Sequence, residues 1–176
     1  MPILKRTYIA LTVILLTFFS ASLLAANPAT KADKVKAAIV YKLTKFITWP
    51  EKKQTLALCI IGSGSINNEL LKINHKFSMG RRISVTHKKY TAPLEKLCDL
   101  TFIHNTDTQT MVGILHRLQN KPVLTISDNA NFTSQGGIIG LFRTGSKIRF
   151  AISQSATKNS GLSISNQLMG LAKVIK

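Results

Sequence analysis

Few residues in this chain of 176 are equipped for chemistry: two cysteines, four histidines, seven carboxylates and one glycine-rich turn. The cysteines give the strongest signal. Cys59 lies inside Thr55 to Gly62, an almost wholly apolar run ended by Gly62-Ser63-Gly64-Ser65, which reads as a strand buried on both faces. Cys98 stands at the mouth of a similar run, Asp99 to His104. Two neighbouring strands could therefore be stapled together. Such a bridge closes a loop of about forty residues, for which chain entropy predicts roughly 4 kcal/mol of stabilisation. Its expected role is structural, the alternative being a reducible bond that reports redox state.

Other constellations are thinner. Gly62-x-Gly64-x-x-Asn67 follows a strand and opens a helix, where backbone N–H groups could meet a phosphate. Asn67 replaces the third glycine, however, and Thr86-His87-Lys88-Lys89 stands where a ribose-binding carboxylate would be needed. A tight turn with Ser65 as N-cap accounts for the same residues. His75, His87, His104 and His116 fall on four segments without i, i+4 pairing or a carboxylate at ligand spacing, so they read as surface or strand-end side chains and no metal site is expected. There is no Gly-x-Ser-x-Gly elbow, and the acids are spread singly from Asp33 to Asp128. Catalytic residues and a cofactor are accordingly not expected, and an exported enzyme is the weakest of the functional readings.

Charge and the N-terminus bound the setting. Lys5 and Arg6 precede an apolar stretch centred on Ala10 to Phe19, with small residues at Ala25 and Ala26, the layout of a secretory signal peptide. We expect residues 1–26 to be that leader and 27–176 to form one periplasmic domain, an uncleaved anchor being the alternative. No cysteine sits near the cut, which argues against a lipoprotein. Export would place both cysteines in an oxidising compartment, where an even count favours a disulfide. Removing Lys5 and Arg6 from a formal charge of +17 leaves a mature chain of about +15. Acidic partners are favoured. Nucleic acid is not, because no basic block exceeds a dyad such as Arg81-Arg82 and no nucleic-acid module signature is present.

The elements that must hold these residues follow from periodicity. Val35, Ile39, Leu43 and Phe46 mark a helical stripe over Lys34 to Trp49, stopped by Pro50. Lys42 lies near the middle of that stripe, its ammonium expected to reach the rim. Ala29 to Asp33 reads as frayed. A short helix over Ile66 to Ile73 and an alternating strand over Ile83 to Thr86 follow. After the strand Leu100 to Ile103, Thr108 to Leu118 forms a helix with Met111, Ile114, Leu115 and Leu118 on one side, and Val123 to Ile126 forms a buried strand. Ile138 to Phe142 and Lys147 to Ile152 make a β-hairpin on an edge of the sheet. A final helix, Ser163 to Ile175, carries Ile164, Leu168, Leu171 and Ile175. The expected fold is a single α/β domain, its mixed, largely parallel sheet flanked by helices, with the C-terminal hairpin and helix added.

In this order and spacing, the helix beginning Lys34-Val-Lys-Ala-Ala-Ile-Val-Tyr-Lys-Leu and ending Phe46-Ile-Thr-Trp-Pro50, Leu58-Cys59-Ile-Ile-Gly62, Cys98-Asp-Leu-Thr-Phe-Ile103, Pro122-Val-Leu-Thr-Ile-Ser-Asp128, Gly136-Gly137 with Arg149-Phe150, and Gly161-Leu-Ser-Ile-Ser165 closely resemble the YfiR family. The resemblance spans the whole mature chain. It implies a compact periplasmic domain, often a homodimer and not an enzyme, that binds the periplasmic sensor domain of an inner-membrane diguanylate cyclase and represses it. Such repression lowers cyclic-di-GMP and biofilm formation, and an outer-membrane lipoprotein can sequester the repressor. The family's disulfide position carries over to Cys59 and Cys98. This chain lacks the second cysteine pair of some members, and Lys42 stands where the family more often has a neutral residue.

The docking residues expected for such a partner are Phe142 and Arg143, near the tip of the hairpin, together with Lys42. The rival reading is a small-ligand sensor with its crevice beside Gly62 to Ser65, signalling to a membrane receptor.

Overall fold

The computed structural model describes residues 30–175, and the expected leader lies outside them. In chain order the elements are α1 (Lys31–Leu43), β1 (Ile47–Thr48), β2 (Thr55–Ile61), α2 (Ile66–Leu71), β3 (Phe77–Ser78), β4 (Arg81–His87), α3 (Leu94–Leu97), β5 (Leu100–Ile103), α4 (Thr108–Leu118), β6 (Leu124–Ser127), a 3-10 turn (Thr133–Gln135), β7 (Ile139–Thr144), β8 (Lys147–Ser153), α5 (Gln154–Ser160), β9 (Ser163–Ile164), α6 (Asn166–Leu171) and β10 (Lys173–Ile175). Eight strands form one sheet in the order β10-β8-β7-β6-β5-β2-β4-β3, while β1 and β9 pair separately. The run from β4 through β2, β5 and β6 to β7 is parallel. The β3–β4 and β7–β8 pairs are antiparallel, and β10 lies parallel to β8. This is the expected α/β architecture.

The two-residue pleat divides β2 between two cores. Leu56, Leu58 and Ile60 join Ala37, Val40 and Leu43 of α1, Leu70 of α2, Phe102 and Ile126. Cys59 and Ile61 point the other way, into a core with Leu94, Met111, Ile114, Leu115, Leu118 and Phe132. The Cys59–Cys98 disulfide lies in this second core, with Cα atoms 5.8 Å apart, and it fastens the segment leaving α3 to the middle of the sheet.

Helix α1 differs from the sequence expectation at both ends. It starts earlier because Thr30 and Asp33 form a reciprocal capping box, the Thr30 hydroxyl accepting from the Asp33 N–H at 3.1 Å and the Asp33 carboxylate from the Thr30 N–H at 2.9 Å. Thr30 to Asp33, expected to fray, are thus the cap and the first turn. It stops at Leu43, where Thr44 turns its hydroxyl to the Tyr41 carbonyl and to Ser78, and the chain enters β1. Its buried face is Asp33, Ala37, Val40 and Leu43. Val35, counted on the apolar stripe, is 40 % exposed, and Lys42 lies on the exposed side. The small Ala37 faces the sheet while the larger Val35 is left in solvent.

The C-terminal region also differs. The hairpin is not at the sheet's edge, because β10 pairs along β8 through Lys173↔Ala151, Val174↔Ile152 and Ile175↔Ser153. The final helix is confined to α6, capped by the Ser165 hydroxyl accepting from the Leu168 N–H, and extended backbone at Ala172 ends it. Of the expected stripe Leu168 is buried and Leu171 is exposed. Helix α5 has no apolar periodicity; Ser153 caps its start and Gly161, with φ 71°, closes its end.

Replacing both cysteines, Cys59→Ala with Cys98→Ala, is expected to cost about 3 to 4 kcal/mol through release of the loop. Thermal melting in non-reducing buffer should show a midpoint lower by roughly 10 °C than that of the unaltered protein.

Candidate functional site

The parallel strands end side by side, and side chains from distant parts of the sequence meet there. Asp128 immediately follows β6, His104 follows β5, and Lys36 reaches over from the second turn of α1. Lys36 Nζ donates to Asp128 Oδ2 at 2.5 Å, and His104 Nδ1 to Asp128 Oδ1 at 2.7 Å. A carboxylate only accepts, so Nδ1 carries the hydrogen in this arrangement. Strand-end position was legible for His104. Its acidic companion was not, since 24 residues separate the two and the β5–β6 pairing alone brings them together. His75, His87 and His116 are exposed. Among the described residues no group of three His, Cys, Asp or Glu side chains converges as a metal site would.

The glycine turn serves this cluster. Gly62 has φ 97°, and a Cβ there would overlap the His104 carbonyl; a Cβ at Gly64 would overlap the His104 imidazole. The space beside the turn, read from the sequence as a crevice for a phosphate or small ligand, is thus filled by His104. Asn67 donates from its amide to the Gly62 carbonyl at 3.1 Å and Asn105 to that of Ser63 at 3.2 Å. Ser65 makes no cap to α2; its hydroxyl donates instead to Asp33 at 2.7 Å.

These contacts set the charge of two carboxylates. Burial alone would raise the Asp128 carboxyl, but hydrogen bonds from His104 and Lys36 outweigh it and hold the group below its ordinary value of 3.8. Asp33 is lowered as well, burial being offset by the Ser65 hydroxyl and the two Thr30 donors. Both carboxylates therefore stay charged at neutral pH, and through them α1 is tied to the sheet's C-terminal end.

So held, the first turn of α1 faces the tip of the β7–β8 hairpin across a groove of 840 Å³. Lys31, Arg143, Lys147 and Arg149 line it, with Val35 and Ile148 between them, and no carboxylate is among its lining residues. Arg143 is fixed by its own turn, its Nε donating to the Gly145 carbonyl at 2.8 Å. It also borders a second cleft of 540 Å³ behind the hairpin, shared with Phe142, Phe132, Lys173 and Asp128. Phe142 and Arg143 both border this cleft and are exposed, although as successive residues of β7 they point to opposite faces of the hairpin. Lys42 does not join them: it lies in the last turn of α1, roughly 16 Å along the helix from Lys31. Lys31 and Lys147 were not picked out in the sequence, where nothing distinguishes them from other scattered cations, and Arg149 stood out only within the family pattern, not as a docking residue.

A family model described as YfiR/HmsC-like matches residues 33–173. Among solved structures, a conserved domain protein from Vibrio cholerae O1 biovar El Tor strain N16961 superposes with a TM-score of 0.52 at 8% identity. The match covers 84% of this chain and 61% of that one, and at this identity it shows a shared fold alone.

Because the folded Asp128 carboxyl titrates below 3.8, its contribution to stability is complete above that pH and is lost as the pH falls through the folded value. Urea unfolding should show Asp128→Asn weaker by about 2 kcal/mol at pH 7, less than a fully buried pair would lose because Lys36 keeps a fifth of its side chain in water. The variant's stability should also fall less steeply than that of the unaltered protein on acidification below about pH 4.

Proposed function

The chain belongs to the YfiR/HmsC-like family, and from that premise we propose that it is a non-enzymatic periplasmic regulator. In this reading it binds the periplasmic sensor domain of an inner-membrane diguanylate cyclase and holds the enzyme inactive, which lowers cyclic-di-GMP. The observation that carries the reading to a surface is the groove between α1 and the hairpin tip. Lys31 and Arg143 stand with Val35 and Ile148 on the α1 side of the hairpin, and Lys147 and Arg149 border the groove from the alternate positions of β8. With no carboxylate in the lining, this suits an acidic face with an apolar centre. Complementary charge speeds encounter and rejects basic competitors, and the apolar centre supplies the slow release a repressor needs. Arg143 borders both the groove and the neighbouring cleft, where Phe142 adds an exposed aromatic side chain to the proposed interface. Sequestration by an outer-membrane lipoprotein and pairing as a homodimer belong to the same proposal.

A second reading, a sensor for a small uncharged molecule, has one observation in its favour. A cavity of 260 Å³ lies between α4 and α5, lined by Gln119, Asn120, Gln135 and Asn159 over an apolar floor that includes Val123 and Ile138. The Gln135 side-chain oxygen is buried there without a hydrogen-bond partner. Stabilisation of the purified protein by a specific neutral metabolite in a thermal-shift screen would favour this reading.

The regulator reading is tested by capture from solubilised membranes on the tagged exported protein, with mass spectrometry of what is retained. A diguanylate cyclase is the expected catch. Arg143→Glu with Lys147→Glu should lose it, by about a hundredfold in affinity at low salt, while the circular dichroism spectrum stays unchanged. Retention by the double variant would remove the groove from the interface, and recovery of no cyclase would count against the regulator itself.

A further inference from the structure

At the opposite edge of the sheet the two-residue turn joining β3 to β4 presents a different surface. Phe77 pairs with Arg82 and Ser78 with Arg81, so Met79 and Gly80 form the turn. Both have positive φ, 49° at Met79 and 78° at Gly80. The first position of such a turn suits Asn, Asp or Gly, and a long apolar side chain there is held in a backbone conformation that costs roughly 1 to 2 kcal/mol. No burial offsets that cost, since Met79 is 73 % exposed and Phe77 57 %. A strained residue whose side chain gains no burial among the described residues points to a contact outside them.

The surroundings identify the partner. The Tyr41 hydroxyl donates to the Phe77 carbonyl at 2.8 Å, which places the last turn of α1 beside β3. Lys45 and Lys76 sit over the Tyr41 ring at 5.0 and 5.5 Å, and Arg82 over the Phe77 ring at 5.4 Å. Among the described residues none of these three cations forms an ion pair, whereas Lys36, Lys53, Lys72 and Arg117 do. Apolar side chains at an apex, with unpaired cations and a tyrosine behind them, match the layered chemistry of an anionic bilayer surface. The methionine and phenylalanine enter the acyl boundary, the tyrosine lies at headgroup depth, and the cations meet phosphate. An acidic protein surface would use the same cations, and the vesicle and soluble-domain measurements below separate the two.

We propose that the β3–β4 turn, with Phe77 and Met79 at its apex and Lys45, Lys76 and Arg82 around them, docks this protein onto anionic phospholipid. The periplasmic setting rests on the reading above; the surface chemistry does not. Counting strand spacings from β8 to β3, the turn lies about 30 Å across the sheet from the hairpin groove, so both surfaces are available at once.

The test is co-sedimentation of the purified exported protein with vesicles of phosphatidylcholine alone, or with about one third phosphatidylglycerol. Binding is expected only to the second, with an affinity at least tenfold weaker in Phe77→Ser with Met79→Ser. Met79→Asn relieves the turn, so it should melt no lower than the unaltered protein and yet bind vesicles more weakly. In Met79→Trp, emission beyond that of the buried Trp49 should shift to the blue on the anionic vesicles. Arg143→Glu with Lys147→Glu, which tests the groove, should remove no more vesicle binding than the loss of general charge at a distant site. The proposal is overturned if phosphatidylglycerol vesicles are not bound, if the Phe77 and Met79 variants bind as well as the unaltered protein, or if the groove variant loses as much as they do. Capture of a soluble acidic domain through Phe77 and Met79 without vesicle binding would also overturn it. Cyclase capture and vesicle binding are separate readouts, so either can fail alone.

Discussion

The carboxylate of Asp128 is the constraint on which the arrangement of this molecule depends. It is mostly buried at the end of β6, where an isolated negative charge would be costly, and it is kept there by a lysine from α1 and a histidine from β5. These partners come from the first helix and from neighbouring strands of the sheet, so satisfying one charge fixes the helix against the C-terminal end of the parallel strands. The glycines at 62 and 64 belong to the same requirement: only residues without a Cβ leave His104 the room it occupies.

Helix α1 thereby acts as a strut. Near its start Lys36 and Asp33 hold it to the strand ends and to α2, through Asp128 and Ser65. At its end Thr44 is hydrogen-bonded to the Ser78 hydroxyl at 2.7 Å and Tyr41 donates to the Phe77 carbonyl, which secures it to the edge strand β3. One helix therefore spans the face between the hairpin groove and the β3–β4 turn. The opposite face carries the disulfide and the core of α3 and α4. The disulfide is thus separated by the sheet from the helix that positions both cationic surfaces.

Much of the sheet was legible because its strands are buried on both faces and read as apolar runs: β2, β5 and β6 lie where such runs end in turns. Helix α4 was legible through Met111, Ile114, Leu115 and Leu118, all buried. Where packing depends on a small residue the periodicity misled, as at Ala37, which takes the place in the core that Val35 was expected to fill. Segments built by caps rather than by apolar faces, such as α5 and the start of α1, carry their signal in single Ser, Thr and Asp side chains that have many other uses. The Lys36, His104 and Asp128 cluster had no local signature at all, because only the strand order makes its members neighbours. At the hairpin tip Phe142 and Arg143 stood out as an aromatic next to a guanidinium, but the cations that complete the groove come from the first turn of α1 and the returning strand. Met79 is similar: its identity is plain in the sequence, and its backbone strain is not.

Both borders of the eight-stranded sheet are formed by its shortest members, β3 with two residues and β10 with three. A long, flat border would offer a ladder of free N–H and C=O groups on which further chains could stack without limit. Here β3 and β10 themselves offer a few such groups, flanked by Arg82 on one side and Lys173 on the other, while β4 past Arg82 and β8 before Ala151 extend beyond them. Open-ended lateral polymerisation is therefore disfavoured even at high local concentration. Short borders favour recognition of this chain through side chains, whose pattern can distinguish one partner from another.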